Sequence, residues 1–323
     1  MAPLLELRDL STHYVSQRGT RVVKAVDSVS LTLEAGETLG VVGESGSGKT
    51  TLALSILRLL PPSAANAGGK ILFDGEDLLT KSPEEIRQIR GKKIAMILQD
   101  PMASLNPLFT IGDQVAEPLR VHEGMSRRSA WEKATALLKS VRITAPSTRV
   151  REYPHQMSGG MRQRIVGAMG IACEPRLLIA DEPTTSLDLT IQAQYLALLR
   201  DLQREHGLAL IFITHNLGIV AKMCDRVAVM YAGRLVEFGP VRKIFDAPRH
   251  PYTRALLQSI PRFADTRQRL TAIGGQPPDL SALPLGCAFH PRCPDAIDRC
   301  RGEAPPETGA ATGHTVRCWV ASS

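Results

Sequence analysis

The sequence has no long apolar run: stretches such as LALIFI, Leu208 to Ile213, fall far short of the ~20 residues that cross a bilayer. Its N-terminus, MAPLLELRDL, carries acidic residues and no extended apolar core, so no secretory signal is expected. Cysteine is sparse before Cys287, where only Cys173 and Cys224 occur. A cytosolic chain is expected, with reduced thiols and no structural disulfides. Internal repeats and coiled-coil heptads are missing too. Glutamate is absent between Arg242 and Arg301, where ten Lys or Arg face five Asp, giving +5 of the net +7. No aromatics interleave with these bases as a nucleic-acid-binding surface would require, so we read a solvated surface.

What is present suits one large domain or two smaller ones: 323 residues, 43% hydrophobic and 22% charged. Residues 4–40 alternate short apolar runs with polar turns and read as strands, the last being Thr38 to Val42. GKTTLALSILRLL has helical spacing and runs into PPSAANAGG, read as a Pro/Gly loop. Residues 112–172 are mostly helical in pattern. RLLIADE and LALIFITH read as buried strands around the amphipathic helix IQAQYLALLRDLQREHG, and RVAVMYAGRLVEFG as two short strands about a turn. This alternation predicts an α/β fold with a mainly parallel sheet.

GESGSGKT, Gly43 to Thr50, fits G-x-x-x-x-G-K-[ST] between a strand and a helix. Glycines let successive N–H groups form an anion nest, and the helix N-terminus adds partial positive charge. The expected ATP-binding set is Tyr14, Gly43, Glu44, Ser45, Gly46, Ser47, Gly48, Lys49, Thr50 and Thr51. Lys49 is expected to reach the β- and γ-phosphates, and the Thr50 hydroxyl to ligate Mg²⁺. Asp181, ending the strand LLIAD, is a further Mg²⁺ ligand, direct or through water. Glu182 follows, either orienting an attacking water beside the γ-phosphate or standing as a surface glutamate at a strand end. Ser158, Gly159 and Gly160 open a helix and offer N–H groups and a hydroxyl to a phosphate. No second P-loop exists in the chain for them to serve, which points to two chains.

With YPHQMSGGMRQR, Tyr153 to Arg164, a family becomes recognisable. The order P-loop, LQDP, SGG, LLIADEP, SLD and TH over residues 1 to about 240 resembles an ATP-binding-cassette ATPase. The resemblance implies a RecA-like core with an antiparallel β subdomain and a helical subdomain at about residues 100–172. It implies a sandwich in which each cassette's signature closes the other's P-loop. Gln99 then senses Mg²⁺ and lytic water, His215 contacts the γ-phosphate, and Asp188 crosses the dimer interface. Tyr14 stacks on adenine or simply packs in the first sheet. The chain departs from the pattern at Met157 and Met161, in place of leucine and glutamine, and at Asn216, in place of aspartate.

Only 132 residues separate Lys49 from Asp181, too few for the long coiled coils of chromosome-condensing and repair ATPases, and ribosomal factors carry two cassettes per chain. A soluble nucleic-acid-linked ATPase is therefore disfavoured and no nucleic-acid partner is expected. QDPMASLNPLFTIGDQ, DAPRHPYTRALLQSIP and GCAFHPRCPDAIDRC resemble ATP-binding subunits of bacterial dipeptide and oligopeptide permeases. That subfamily also includes nickel and glutathione importers, and the external binding protein and membrane subunits read the cargo. The resemblance implies a cassette at 1–245 and an extension at 246–323. It implies two membrane-spanning permease subunits, a second related ATPase, an external binding protein, and a peripheral position on the cytoplasmic face of the inner membrane. Residues near Gln99 to Glu117 are expected to line the groove that receives a permease helix.

Cys287, Cys293, Cys300 and Cys318 fall in a Pro- and Gly-rich tail with few large apolar residues. A metal staple is the expectation in a reducing cytosol. Four thiolates suit zinc or an iron–sulfur cluster, and similar tails in the family favour [4Fe–4S], with Arg292, Arg299 and Arg301 offsetting its charge. Otherwise the thiols pack as small hydrophobes. His290 and His314 are read as bystanders.

Overall fold

The computed structural model describes residues 2–16, 21–185, 187–259, 273–309 and 313–322. The chain divides into two compact units, one formed by residues 1–34, 38–79 and 213–323, the other by 35–37 and 80–212.

In the first unit, with strands numbered in chain order, β1 (Leu5–Val15), β2 (Val22–Leu33), β4 (Ala64–Phe73) and β5 (Glu76–Asp77) form an antiparallel sheet ordered β2-β1-β4-β5. One sequence expectation needs correcting here. AANAGG, read as loop, is the first half of β4. Its glycines fit because β1 bulges around Asp9 (φ 48°), and at Gly69 (φ 87°) a Cβ would lie 2.5 Å from the Arg8 and Asp9 carbonyl oxygens. Close backbone approach, not apolar periodicity, makes that strand.

The same unit holds β3 (Thr38–Val42), every residue of it buried, paired in parallel with β9 (Arg226–Tyr231). Burial on both faces explains its continuous apolar run. Asp225 Oδ2 accepts the Thr38 N–H at 2.8 Å and pins the strand's start. Beyond β9 the order continues with antiparallel β10 (Arg234–Pro240), then β12 (Thr315–Arg317) and β11 (Glu307–Thr308). The C-terminal residues therefore extend this unit's own sheet through the Glu237–Val316 pair.

In the second unit β6 (Ile94–Ile97), β7 (Leu177–Asp181) and β8 (Ala209–Ile213) lie side by side, β6 and β7 in parallel register. Its helices start where polar caps satisfy the first N–H groups. Thr110 caps Ile111–Glu123, Ser126 caps Arg127–Ser140, Ser158 caps Gly159–Ile171 and Asp188 caps Leu189–His206. Val115, Leu119, Ala134, Leu138 and Ile165 form their buried faces.

Candidate nucleotide site

In the first unit, β3 ends at Val42 and the helix Lys49–Ile56 begins after the loop Gly43–Gly48. Gly48 caps that helix at φ 101°, and a Cβ there would meet the Ala25 carbonyl oxygen at 2.1 Å, so no other residue fits. Lys49 is only 7% exposed, and its Nζ donates to the carbonyls of Gly43 (2.8 Å) and Glu44 (2.9 Å). The ammonium is thus held inside the curl of the loop. Ser47 Oγ is buried with no hydrogen-bond partner among the described residues, a polar atom suited to a phosphate oxygen. Ser45, Gly46 and Thr50 are exposed. Tyr14, on β1, places its hydroxyl 3.3 Å from Thr51 Oγ1, tying the first sheet to the helix.

His215 is exposed and belongs to the same unit. Thr214 N–H donates to Val41 O at 3.2 Å, which sets His215 one residue beyond that link to β3. Asn216 caps the helix Leu217–Met223, accepting from the N–H groups of Gly218 (3.0 Å) and Ile219 (3.3 Å). Asparagine in place of aspartate keeps the capping chemistry.

The second unit carries the remaining residues. Asp181 ends β7 at 2% exposure. Glu182 follows in the left-handed region at φ 46°, and its Oε2 accepts from the Thr185 hydroxyl at 2.7 Å. Gln99 is exposed two residues beyond β6. Ser158 Oγ accepts the Met161 N–H at 3.3 Å. Gly160 faces Ile191, whose Cγ2 would lie 2.7 Å from an added Cβ. Met157 is buried, so the change from leucine keeps an apolar anchor under the signature. Asp188 Oδ1 accepts from the N–H groups of Thr190 (3.1 Å) and Ile191 (2.9 Å) and acts locally as a helix cap.

Behind the P-loop stand residues that the motifs did not announce. Glu44 N–H donates to Tyr252 Oη at 2.9 Å, and the Glu44 carboxylate takes both terminal nitrogens of Arg292, at 2.7 and 3.0 Å. No spacing rule signals a pair 248 residues apart. Tyr231, Tyr252 and Phe289 pack around this pair in tilted and edge-to-face arrangements, with ring centroids 4.6 to 5.3 Å apart. Burial drives the Tyr252 phenol well above its ordinary pKa and keeps it neutral.

The four-cysteine metal site expected from the sequence finds no support among the described residues. Cys287 and Cys300 do sit together, Cys287 N–H donating to Cys300 O at 2.9 Å. Yet no three His, Cys, Asp or Glu side chains among the described residues are disposed to hold a metal ion. Burial raises the pKa of the Cys287 thiol and raises that of Cys293 to about 11. Both pack against the cluster containing Tyr231, Tyr252 and Phe289 as small apolar groups. Two of the arginines expected beside a cluster are engaged elsewhere. Arg292 holds Glu44, and Arg299 lies 3.5 Å over the Trp319 ring and pairs with Glu303 at 2.8 Å. His314 Nε2 lies 2.7 Å from Glu237 Oε1, both side chains buried.

Comparison with known proteins agrees with this geometry. An ABC transporter family model matches residues 26–185, and a model of the oligopeptide/dipeptide transporter C-terminal region matches residues 236–300. The chain is 51% identical over 318 residues to a probable peptide ABC transporter ATP-binding protein, y4tR of Sinorhizobium fredii, covering 98% of this chain and 94% of that protein. It is 49% identical over 321 residues to the dipeptide transport ATP-binding protein DppD of Bacillus subtilis, covering 99% and 95%. Among solved structures, the post-hydrolysis dimer of the ATP-binding cassette MJ0796 bound to ADP and Pi superposes with a TM-score of 0.66 at 26% identity, covering 74% of this chain and 99% of that one. The cbiO1 structure from Clostridium perfringens, part of an ABC transporter complex, gives 0.65 at 27%, covering 76% and 92%.

Proposed function

The chain belongs to the ABC transporter family, as the ATP-hydrolysing subunit of a peptide importer, and from that premise we propose how its residues divide the work. Among the described residues no helix is long and apolar enough to cross a membrane. A peripheral subunit of this kind works with membrane permease subunits and a substrate-binding protein.

The observation that carries the chemistry is Lys49, held nearly buried inside the P-loop by two backbone carbonyls. An incoming phosphate offers it charge-assisted bonds stronger than those carbonyls give. In the proposed mechanism Lys49 binds the β- and γ-phosphates, and the loop N–H groups and Ser47 Oγ take further oxygens. Thr50, Asp181 and Gln99 would supply the hard oxygen donors that Mg²⁺ prefers, and the ion held there would offset phosphate charge. Glu182 orients the lytic water and accepts its proton, while His215 contacts the γ-phosphate. Ser158, Gly159 and Gly160 act on the ATP of a partner cassette, and Asp188 lies at that interface. Tyr14 stacks on adenine.

A heterodimer with a second related ATPase and a place on the cytoplasmic face of the inner membrane complete the reading. Leu98, Leu108 and Phe109 are 45%, 81% and 54% exposed in the stretch expected to receive a permease helix, which supports docking there. Purification of the tagged chain from detergent-solubilised membranes tests the assembly. Permease subunits and a second ATPase should co-purify. A stable complex lacking a second ATPase contradicts the heterodimer, and hydrolysis stimulated by DNA but not by permease contradicts the transporter role.

A further inference from the structure

The Arg292 side chain is 4% exposed, deep in the C-terminal extension, and its side-chain hydrogen bonds lead toward the P-loop or brace it there. Its Nη1 and Nη2 each donate to one oxygen of Glu44. Nε donates to Gly274 O at 2.8 Å, Nη2 also reaches Ile273 O at 3.4 Å, and Nη1 reaches Tyr231 Oη at 3.3 Å. A guanidinium so placed has one geometry available, and the planar fork transmits it to the carboxylate. The bond to Glu44 raises the Arg292 pKa further, so it stays charged.

Glu44 is the only acidic residue of GESGSGKT. It stands beside the site of a polyanion, where an uncompensated carboxylate would oppose phosphate binding. Its backbone is fixed as well, through the N–H to Tyr252 Oη and the carbonyl to Lys49 Nζ. The extension thus neutralises the loop's one negative charge and restrains the loop.

We propose that Arg292 is a positioning residue for ATP: through its fork on Glu44, the C-terminal extension holds the P-loop in its phosphate-receiving shape and cancels a charge that would repel the nucleotide. The extension is then a working part of the nucleotide site. The proposal rests on the reading of Gly43–Thr51 as an ATP site.

Calorimetric titration of the full chain with ATP and Mg²⁺, alongside steady-state hydrolysis, tests it. Arg292→Gln should weaken ATP binding about tenfold and raise KM in step, with kcat at saturating ATP held within about twofold. Adding Glu44→Gln to that variant should recover part of the lost affinity, the share owed to the uncompensated charge, while the share owed to the lost fork stays missing. A general loss of structure would not be rescued this way. Arg292→Lys, which keeps the charge without the fork, should fall between and guards against misfolding of the glutamine variant. Wild-type ATP affinity in folded Arg292→Gln or in Arg292→Lys, or no recovery in the double variant, overturns the clamp. Absence of saturable binding by the wild-type chain would refute the nucleotide reading and the clamp with it.

Discussion

Thr185 donates its hydroxyl proton to Glu182 Oε2 across 2.7 Å, and its amide donates to the Glu182 carbonyl at 3.3 Å. Glu182 itself is held at φ 46°, a backbone state that costs a non-glycine residue roughly 1–3 kcal/mol. The turn fixes one carboxylate oxygen of the residue proposed to orient the lytic water. Thr185→Val should therefore lower kcat for ATP hydrolysis about fivefold, the worth of one hydrogen bond, with KM for ATP unchanged. Steady-state kinetics decides; an unaltered kcat would remove Thr185 from the mechanism.

Lys49→Ala removes the ammonium that Gly43 O and Glu44 O now hold. ATP affinity should fall by about a hundredfold or more, since several charge-assisted bonds go together. Equilibrium titration with ATP and Mg²⁺ checks this, and near-wild-type binding would be inconsistent with the P-loop assignment.

Gly160 packs against Ile191 with no room for a methyl group. Gly160→Ala forces a 2.7 Å approach to Ile191 Cγ2 and should destabilise the second unit by about 1–3 kcal/mol, read as a lower urea midpoint. An unchanged midpoint would mean that the helix Gly159–Ile171 shifts freely at its start.

His250 is buried, its ring Nδ1 caps the helix Pro251–Gln258 by accepting the Tyr252 N–H at 3.0 Å, and its backbone N–H donates to Glu237 Oε2. Burial, with Arg254 nearby, pushes its pKa down to about 3. Because the folded pKa lies below the ordinary value of 6.5, the unfolded chain binds the extra proton first. Stability should hold above about pH 6.5 and fall as pH drops from there towards 3, by up to ~1.4 kcal/mol per pH unit. His250→Asn keeps a capping oxygen but does not titrate, so its denaturation midpoint should lose that share of the acid dependence. Identical pH profiles would contradict the assignment.

The fold was legible where apolar runs and caps coincide. TLGVV, LLIAD and LALIFI are strands because each is buried on both faces, and RVAVMYAGRLVEFG forms two strands about its turn. The strand in AANAGG escaped because its stability comes from backbone pairing with β1, which glycine and alanine do not advertise. The P-loop, signature and carboxylate residues stood out in the sequence because phosphate chemistry needs particular types at short spacing. Arg292 did not, since a clamp formed across 248 residues leaves no local pattern. Clustering of the cysteines in sequence suggested ligation, which the described residues do not support; Cys287 and Cys293 are half-buried and pack against the aromatic cluster.

Dipeptide uptake is the most direct measure of the central claim, that this chain hydrolyses ATP at Glu182 to drive peptide import. Proteoliposomes would hold the chain with its co-purifying permease subunits, ATP and Mg²⁺ on the nucleotide side, and binding protein with labelled dipeptide on the other. The wild-type chain should accumulate dipeptide only with ATP, whereas Glu182→Gln should still bind ATP but show hydrolysis and uptake reduced at least about a hundredfold. Wild-type uptake in the Glu182→Gln variant, or ATP hydrolysis that never moves dipeptide, would contradict the account.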